Sequence, residues 1–311
     1  MGNIFVVLTP LVHGLVRLAG LTRQTIEIEH GTLMNIWVPK ETVMKKDGKA
    51  VYVPPKKPVV LLLHSFAMDG IFTWFLQVLA LTRDYSVYVP DLLFFGGSIT
   101  DRNERSASFQ AEFVANGLGK LGVEKVTLVG VSYGGMVGFK MAKSYPKLVQ
   151  SMVVSGTVIE MTESISLDAY KQLGGSSWSE LLNPDTIEGL KKMFSIGFRN
   201  LPWLPDFVYQ NILETMFGNR KERNELLEAL VVLDKNATVD INYSQMIYML
   251  WGDDDQIFDS DSARTMKKRL GEKTRLDWIK DAGHLVPLDQ PFAYNKRLKL
   301  ILERLITKKG Q

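Results

Sequence analysis

Apolar positions change their spacing from segment to segment, and the changes lay out the elements of the chain. Over residues 24–38 the run Thr-Ile-Glu-Ile-Glu alternates, His30-Gly31 supplies a turn and Thr-Leu-Met-Asn-Ile-Trp-Val returns, which predicts a β-hairpin. Residues 45–57 are polar, hold Asp47-Gly48 and Pro54-Pro55, and read as a loop carrying a short hairpin. Bounded, continuous apolar runs follow at 59–63, 85–89, 126–131, 151–154, 246–251 and 275–279. Such runs belong to strands buried on both faces of a parallel sheet. Helical spacing separates most of them, as at 71–81 and 108–121, so the fold class is α/β, a mostly parallel eight-stranded sheet flanked by helices.

One interval breaks that rhythm. Residues 156–239 are mostly helical in character, with candidate helices at 184–197, 206–217 and 220–232 and a Leu201-Pro202-Trp203-Leu204-Pro205 breaker. A structureless loop of that length does not suit a compact domain, so the interval is read as an inserted helical lid. It is rich in Met193, Phe194, Phe198, Trp203, Phe207, Met216 and Phe217, most of which are expected to form its own core. The organisation is then an apolar N-terminal segment (1–20), a core in two pieces (21–155 and 240–311) and the lid between them (156–239).

The N-terminal apolar run at 4–18 contains Pro10 and His13 and is too short to cross a bilayer. It lacks the basic lead and cleavage site of a signal peptide, and Val6 stands where a myristoylation motif needs serine or threonine. It is read as a helix packed on the domain, with peripheral membrane contact through residues 1–20 as the alternative. The 37 Lys and Arg nearly balance 34 Asp and Glu, and short basic clusters such as Lys267-Lys268-Arg269 read as solvated faces, so no nucleic-acid partner is expected. The absence of cysteine excludes disulfides, thiolate metal sites and a cysteine nucleophile, and is compatible with a reducing, cytoplasmic compartment. No ligand cluster suggests a metal, and no phosphate-cradling loop suggests a cofactor.

Candidate chemistry centres on Val-Thr-Leu-Val-Gly-Val-Ser-Tyr-Gly-Gly at 126–135. A strand runs into Gly130-Val-Ser132-Tyr-Gly134, and a helix follows that Pro146 closes, the context of a nucleophile elbow. A serine hydroxyl needs a base, and the chain holds four histidines. His13 lies in the apolar N-terminal segment and His30 in a hairpin turn, whereas His284 follows the last strand, where parallel sheets build their sites. A carboxylate must then hold the imidazole, and Asp253, Asp254 and Asp255 after the penultimate strand offer three choices. The amide of Tyr133, next after the nucleophile, is a candidate oxyanion-hole donor.

The chain resembles the α/β-hydrolase superfamily over nearly its whole length. The resemblance rests on His64-Ser65-Phe66, Asp91 through Gly96 to Ser98, the Gly130–Gly135 elbow, Trp251-Gly-x-x-Asp255 and Gly283-His284. Within it, the chain is most similar to lid-bearing serine esterases and monoacylglycerol-lipase-like hydrolases of plant type. The resemblance implies Asp255 as the acid, with Asp254 its rival, and the Phe66 amide as the second oxyanion donor. It also exposes a departure: the family usually has His-Gly where Ser65 stands. His64 is read as an organiser of its loop, and Asp91–Ser98 as a structural turn. Ser65, Phe94, Phe95, Trp203 and Phe207 are candidate pocket residues.

Serine at the elbow disfavours the epoxide hydrolase and haloalkane dehalogenase branches, which use aspartate there. The set fits cleavage of an ester with an apolar acyl or alcohol group through an acyl-enzyme on Ser132. A carbon–carbon bond hydrolase with the same triad, a small-ligand receptor with slow hydrolysis and a peripheral membrane protein whose main role is interaction are the rival readings. The sequence leaves the oligomeric state open.

Overall fold

The structure is a computed structural model that describes residues 2–66, 68–237 and 241–307. The expected boundary at 239/240 and the extreme ends of the chain lie outside the described residues. The first half runs α1 (Phe5–Leu18), the hairpin β1 (Leu21–Glu29) and β2 (Thr32–Pro39), and the short hairpin β3 (Val43–Lys46) and β4 (Lys49–Tyr52). It continues with β5 (Val59–Leu63), α2 (Gly70–Leu81), β6 (Ser86–Pro90), β7 (Ile99–Thr100), α3 (Ala107–Lys120), β8 (Val126–Val131), α4 (Tyr133–Ser144) and β9 (Val149–Ser155). The inserted segment holds β10 (Met161–Thr162), α5 (Glu163–Leu173), α6 (Trp178–Leu182), α7 (Ile187–Gly197), α8 (Asp206–Met216), α9 (Arg220–Leu230) and β11 (Val231–Val232). The chain closes with β12 (Met246–Gly252), α10 (Ser260–Leu270), β13 (Thr274–Ile279), α11 (Val286–Asp289) and α12 (Pro291–Thr307).

Eight strands lie in the order β1-β2-β6-β5-β8-β9-β12-β13, and two-residue β7 pairs with β2 as a ninth. Pairing is parallel from β6 to β13, and β2 runs against both of its main neighbours. The period of two in each strand divides the core between the faces. Leu61, Leu63, Leu128, Met152 and Met249 pack on one side, with residues of α3 and α4. Val60, Leu62, Val129, Val153 and Leu250 pack on the other, with residues of α1, α2 and α12.

The inserted segment joins both packing clusters rather than forming a core apart. Trp178, Leu226 and Leu227 belong to the first, and Met193, Phe194, Tyr209 and Met216 to the second. Its starts are set locally: Thr162, Ser177 and Thr186 each accept a backbone N–H as N-caps of α5, α6 and α7. The Leu-Pro-Trp-Leu-Pro run separates α7 from α8, because proline supplies no N–H for a helix to continue through. β10 and β11 pair in parallel where the segment leaves and rejoins the core.

α1 runs through Pro10 and packs inward through Phe5 on Phe72 and His13 on Trp37. Its other side is open: Val7 is 74% and Leu18 87% exposed. No helix among the described residues is long and apolar enough to cross a membrane.

Candidate active site

Ser132 lies between β8 and α4 with φ +53° and ψ −120°, a left-handed backbone that a residue with a side chain seldom adopts. The surroundings hold it there. A Cβ on Gly130 would meet the Gly134 carbonyl oxygen at 2.8 Å, and one on Gly134 would meet the Leu63 carbonyl oxygen at 2.3 Å. Glycine at both positions therefore lets the elbow close against β5. Tyr133 is the first residue of α4, where a backbone N–H has no intrahelical acceptor.

The turn after β9 gathers the other parts. Ser155 accepts the Ser132 N–H at 2.9 Å, and Thr157 Oγ1 donates to the Ser132 carbonyl at 2.8 Å. Between them, a Cβ on Gly156 would come within 2.8 Å of His284 Nδ1. The Ser132 backbone and the His284 imidazole thus meet at one three-residue turn. His284 Nδ1 lies 3.0 and 3.1 Å from the two carboxylate oxygens of Asp255, and both residues are buried. Asp255 Oδ1 also accepts the N–H groups of Ile257 and Phe258, which fixes the carboxylate on its own loop. Trp251 Nε1 donates to the Phe258 carbonyl and closes that loop.

The rival carboxylates point elsewhere. Asp254 pairs with Arg199 at 2.7 Å at the surface, and Asp253 accepts the Ala282 N–H at 3.4 Å. Sequence reasoning missed what positions the histidine loop. Asp289 accepts N–H groups from Gly283, Arg199 and Asn200 at 2.7–3.0 Å, and Leu285 N–H donates to the Gly197 carbonyl. One carboxylate thereby holds the inserted segment against the loop that carries His284. The spacing of Asp289 five residues after His284 was the available signal, but an acid two residues ahead of a proline that opens a helix reads as an ordinary N-terminal charge.

The loop after β5 is pinned by a second set of contacts. His64 Nδ1 donates to the Ser65 carbonyl at 2.7 Å, and Nε2 accepts the Leu92 N–H at 2.9 Å. Burial presses its pKa down to about 4, and both nitrogens are used by backbone. Asp91 accepts the Gly70 N–H at 2.8 Å and a hydrogen bond from the Asn35 amide. Burial, reinforced by the nearby Asp69 charge, pushes the Asp91 carboxyl up to about 8. Segment 91–92 therefore grips this loop at its first and last residues.

Each remaining candidate has a definite place. Ser65 is buried, is not among the described residues with positive φ, and its hydroxyl has no partner among the described residues. The departure from His-Gly thus brings no left-handed strain. The Phe66 ring is buried edge-on against Tyr133 and Phe95. Phe94 and Phe95 are buried, with Arg105 over the first ring and Arg223 over the second, and Phe94 has a positive φ of 72°. Arg223 also donates to the Phe94 and Met216 carbonyls, tying α9 to this turn. Trp203 is not brought to the site: it is 85% exposed, because the prolines on either side carry it off the surface between α7 and α8. Phe207 is 38% exposed on the first turn of α8.

An α/β sheet with a serine elbow and a buried Asp–His pair defines a class, and the comparisons agree with it. The α/β hydrolase fold family matches residues 58–194. Lipase 1 of Psychrobacter immobilis is 27% identical over 78% of this chain and 77% of its own length. Human Epoxide hydrolase 4 is 23% identical over 81% of this chain and 74% of its own. Among solved structures, a bacterial membrane phospholipase A has a TM-score of 0.77 at 21% identity, covering 97% of this chain and 91% of its own. The chain has the α/β-hydrolase fold, and its residues 58–194 match that family's model.

Proposed function

We propose that the chain is a serine hydrolase that cleaves a carboxylic ester with an apolar acyl or alcohol group. The buried Asp255–His284 pair, set at the same turn as the strained Ser132 elbow, carries the reading. Asp255 holds the imidazole with its proton on Nδ1, so Nε2 is free to take the proton from the Ser132 hydroxyl. The oxygen attacks the ester carbonyl, and the charge that develops is met by the amides of Tyr133 and Phe66. The imidazolium then protonates the leaving alcohol, and water releases the acid by the same steps in reverse order. Serine at the elbow separates the chain from an epoxide hydrolase reading, which needs a carboxylate nucleophile. The inserted helices act as a lid over this site.

The exposed face of α1 supports a place for the enzyme at a lipid surface. Val7, Leu11 and Leu18 project from it, Arg17 and Arg23 lie near, and no acid precedes Glu27. A Val7→Glu/Leu11→Glu variant is expected to lose sedimentation with anionic vesicles; equal sedimentation overturns the membrane reading.

Hydrolysis of p-nitrophenyl esters from acetate to palmitate, by the wild type and by Ser132→Ala, tests the activity. Turnover is expected in the first and absent in the second. A folded wild type that turns over no ester contradicts the reading and favours a carbon–carbon hydrolase or a receptor.

A further inference from the structure

A cavity of about 350 Å³ lies where α1, the β1–β2 hairpin and the turn after β6 meet the junction of α8 and α9. Ser132, Asp255 and His284 are not among its walls. Arg23 enters it from β1 in the core and Arg223 from α9 in the inserted segment. Arg223 is only 4% exposed, and its Nε and Nη1 donate to the Phe94 and Met216 carbonyls. Arg23 gives Nε to Asn35 Oδ1 at 2.6 Å and Nη2 to the Gly96 carbonyl at 3.2 Å. Each guanidinium keeps one nitrogen, Nη2 of Arg223 and Nη1 of Arg23, without a hydrogen-bond partner among the described residues. No carboxylate oxygen among the described residues lies within 4.0 Å of either group. A cation as buried as Arg223 is costly without a counter-charge. The rings of Phe95 and Phe217 beside it offset only part of that cost.

The two acids in the walls do not supply the missing charge. Asp91 spends both oxygens within the fold, on the Gly70 N–H and the Asn35 amide, and burial with the nearby Asp69 charge pushes it up to about 8. Asp69 caps α2 through the Phe72 N–H, and desolvation raises its pKa too. Both arginines act on the Asp69 charge, so the two guanidiniums lie near the same part of the wall. The unfilled capacity there belongs to donors, and an anion matches it. Trp37, Ile71, Phe72 and Met216 form an apolar wall, and the His13 ring, edge-on to Trp37, has no hydrogen-bond partner among the described residues. Inorganic phosphate, with up to two charges, meets the Asp69 charge more severely than a single carboxylate does. A carboxylate can accept from both arginines and lay a short apolar body along that wall. We infer that this cavity is a binding site for a small organic carboxylate, held between Arg23 of the core and Arg223 of the inserted segment. Its volume is that of small-molecule sites.

Titration with sodium hexanoate, 1-hexanol and inorganic phosphate, at pH 7 and low ionic strength, tests the site by NMR of the histidine rings. Hexanoate is expected to shift the His13 resonances saturably and to leave those of His30, in the β1–β2 turn, in place. Arg23→Gln, at an exposed position, should weaken hexanoate at least tenfold, and Thr9→Phe, which fills the cavity from α1, should abolish the shift. Arg223→Gln should weaken it as much; where that variant fails to fold, Arg23→Gln decides alone. Equal affinity for 1-hexanol, tighter binding of phosphate, undiminished binding to Arg23→Gln, or no saturable shift in the folded protein overturns the assignment. None of these readouts requires turnover, so they stand whether or not any ester is cleaved.

Discussion

The loops leaving β5 and β13 each bury a histidine, and their surroundings give the two rings different work. His64 has a backbone partner at each nitrogen, so its ring is spent as a brace between Ser65 and Leu92. His284 has one nitrogen on a carboxylate and no backbone partner among the described residues. A ring locked on both sides cannot take up a proton without losing a hydrogen bond, whereas in the proposed mechanism the ring backed by Asp255 keeps its other nitrogen for the serine proton. Burial alone therefore does not mark a catalytic histidine, and the identity of the partners does.

The comparison breaks most visibly in activity. His284→Gln and Asp255→Asn are each expected to fold and to lose about 10³- to 10⁴-fold in kcat, measured on the preferred p-nitrophenyl ester. His64→Gln should instead show its main effect in denaturant. Two buried backbone groups lose their partner, and a loss of roughly 2–4 kcal/mol in urea unfolding is the expected result. Equal stability of His64→Gln and wild type would dismiss the brace.

Acid sharpens the contrast. Above pH 6.5 the His64 ring is neutral in the folded and unfolded chain alike, and its contribution is complete. Between pH 6.5 and about 4 the unfolded chain binds a proton that the folded one refuses, so stability falls with falling pH, by roughly 3 kcal/mol across that window. Asp91 has the opposite sign: its raised pKa favours the fold at low pH, and that contribution is lost as pH rises from the ordinary carboxylate range through about 8. The deficit of His64→Gln relative to wild type should accordingly shrink as pH falls from 7 to 4, while that of a control at Trp203 stays constant.

Asp289 is a smaller case of the same distinction. Asp289→Ala leaves three N–H groups without their carboxylate and should cost about 2 kcal/mol. Because these groups position the His284 loop, kcat is expected to fall about tenfold with a smaller change in KM. Trp203→Ala, at an exposed breaker, should leave stability within about 0.5 kcal/mol.

Much of this arrangement was legible in the chain because it is written locally. Runs at 59–63 and 126–131 coincide with β5 and β8 because buried parallel strands are continuous and apolar. The elbow was legible because two glycines and a strand-to-helix switch are needed at fixed spacing. What stayed hidden depends on tertiary partners. Three consecutive aspartates look alike until Arg199, in the loop just past α7, takes Asp254 and leaves Asp255 to the imidazole. Trp203 resembled a pocket residue in composition, but composition does not say which way a proline-flanked loop points. β10 and β11 are two residues each, too short to leave a periodic signal.

The central claim is that Ser132 is the activated nucleophile of this constellation. Labelling with an alkyl fluorophosphonate, read by intact mass and peptide mapping, tests it without knowledge of the substrate. The account predicts one adduct per chain, on Ser132, lost in Ser132→Ala and slowed at least a hundredfold in His284→Gln. No adduct on folded protein, or the same adduct in Ser132→Ala, would contradict it.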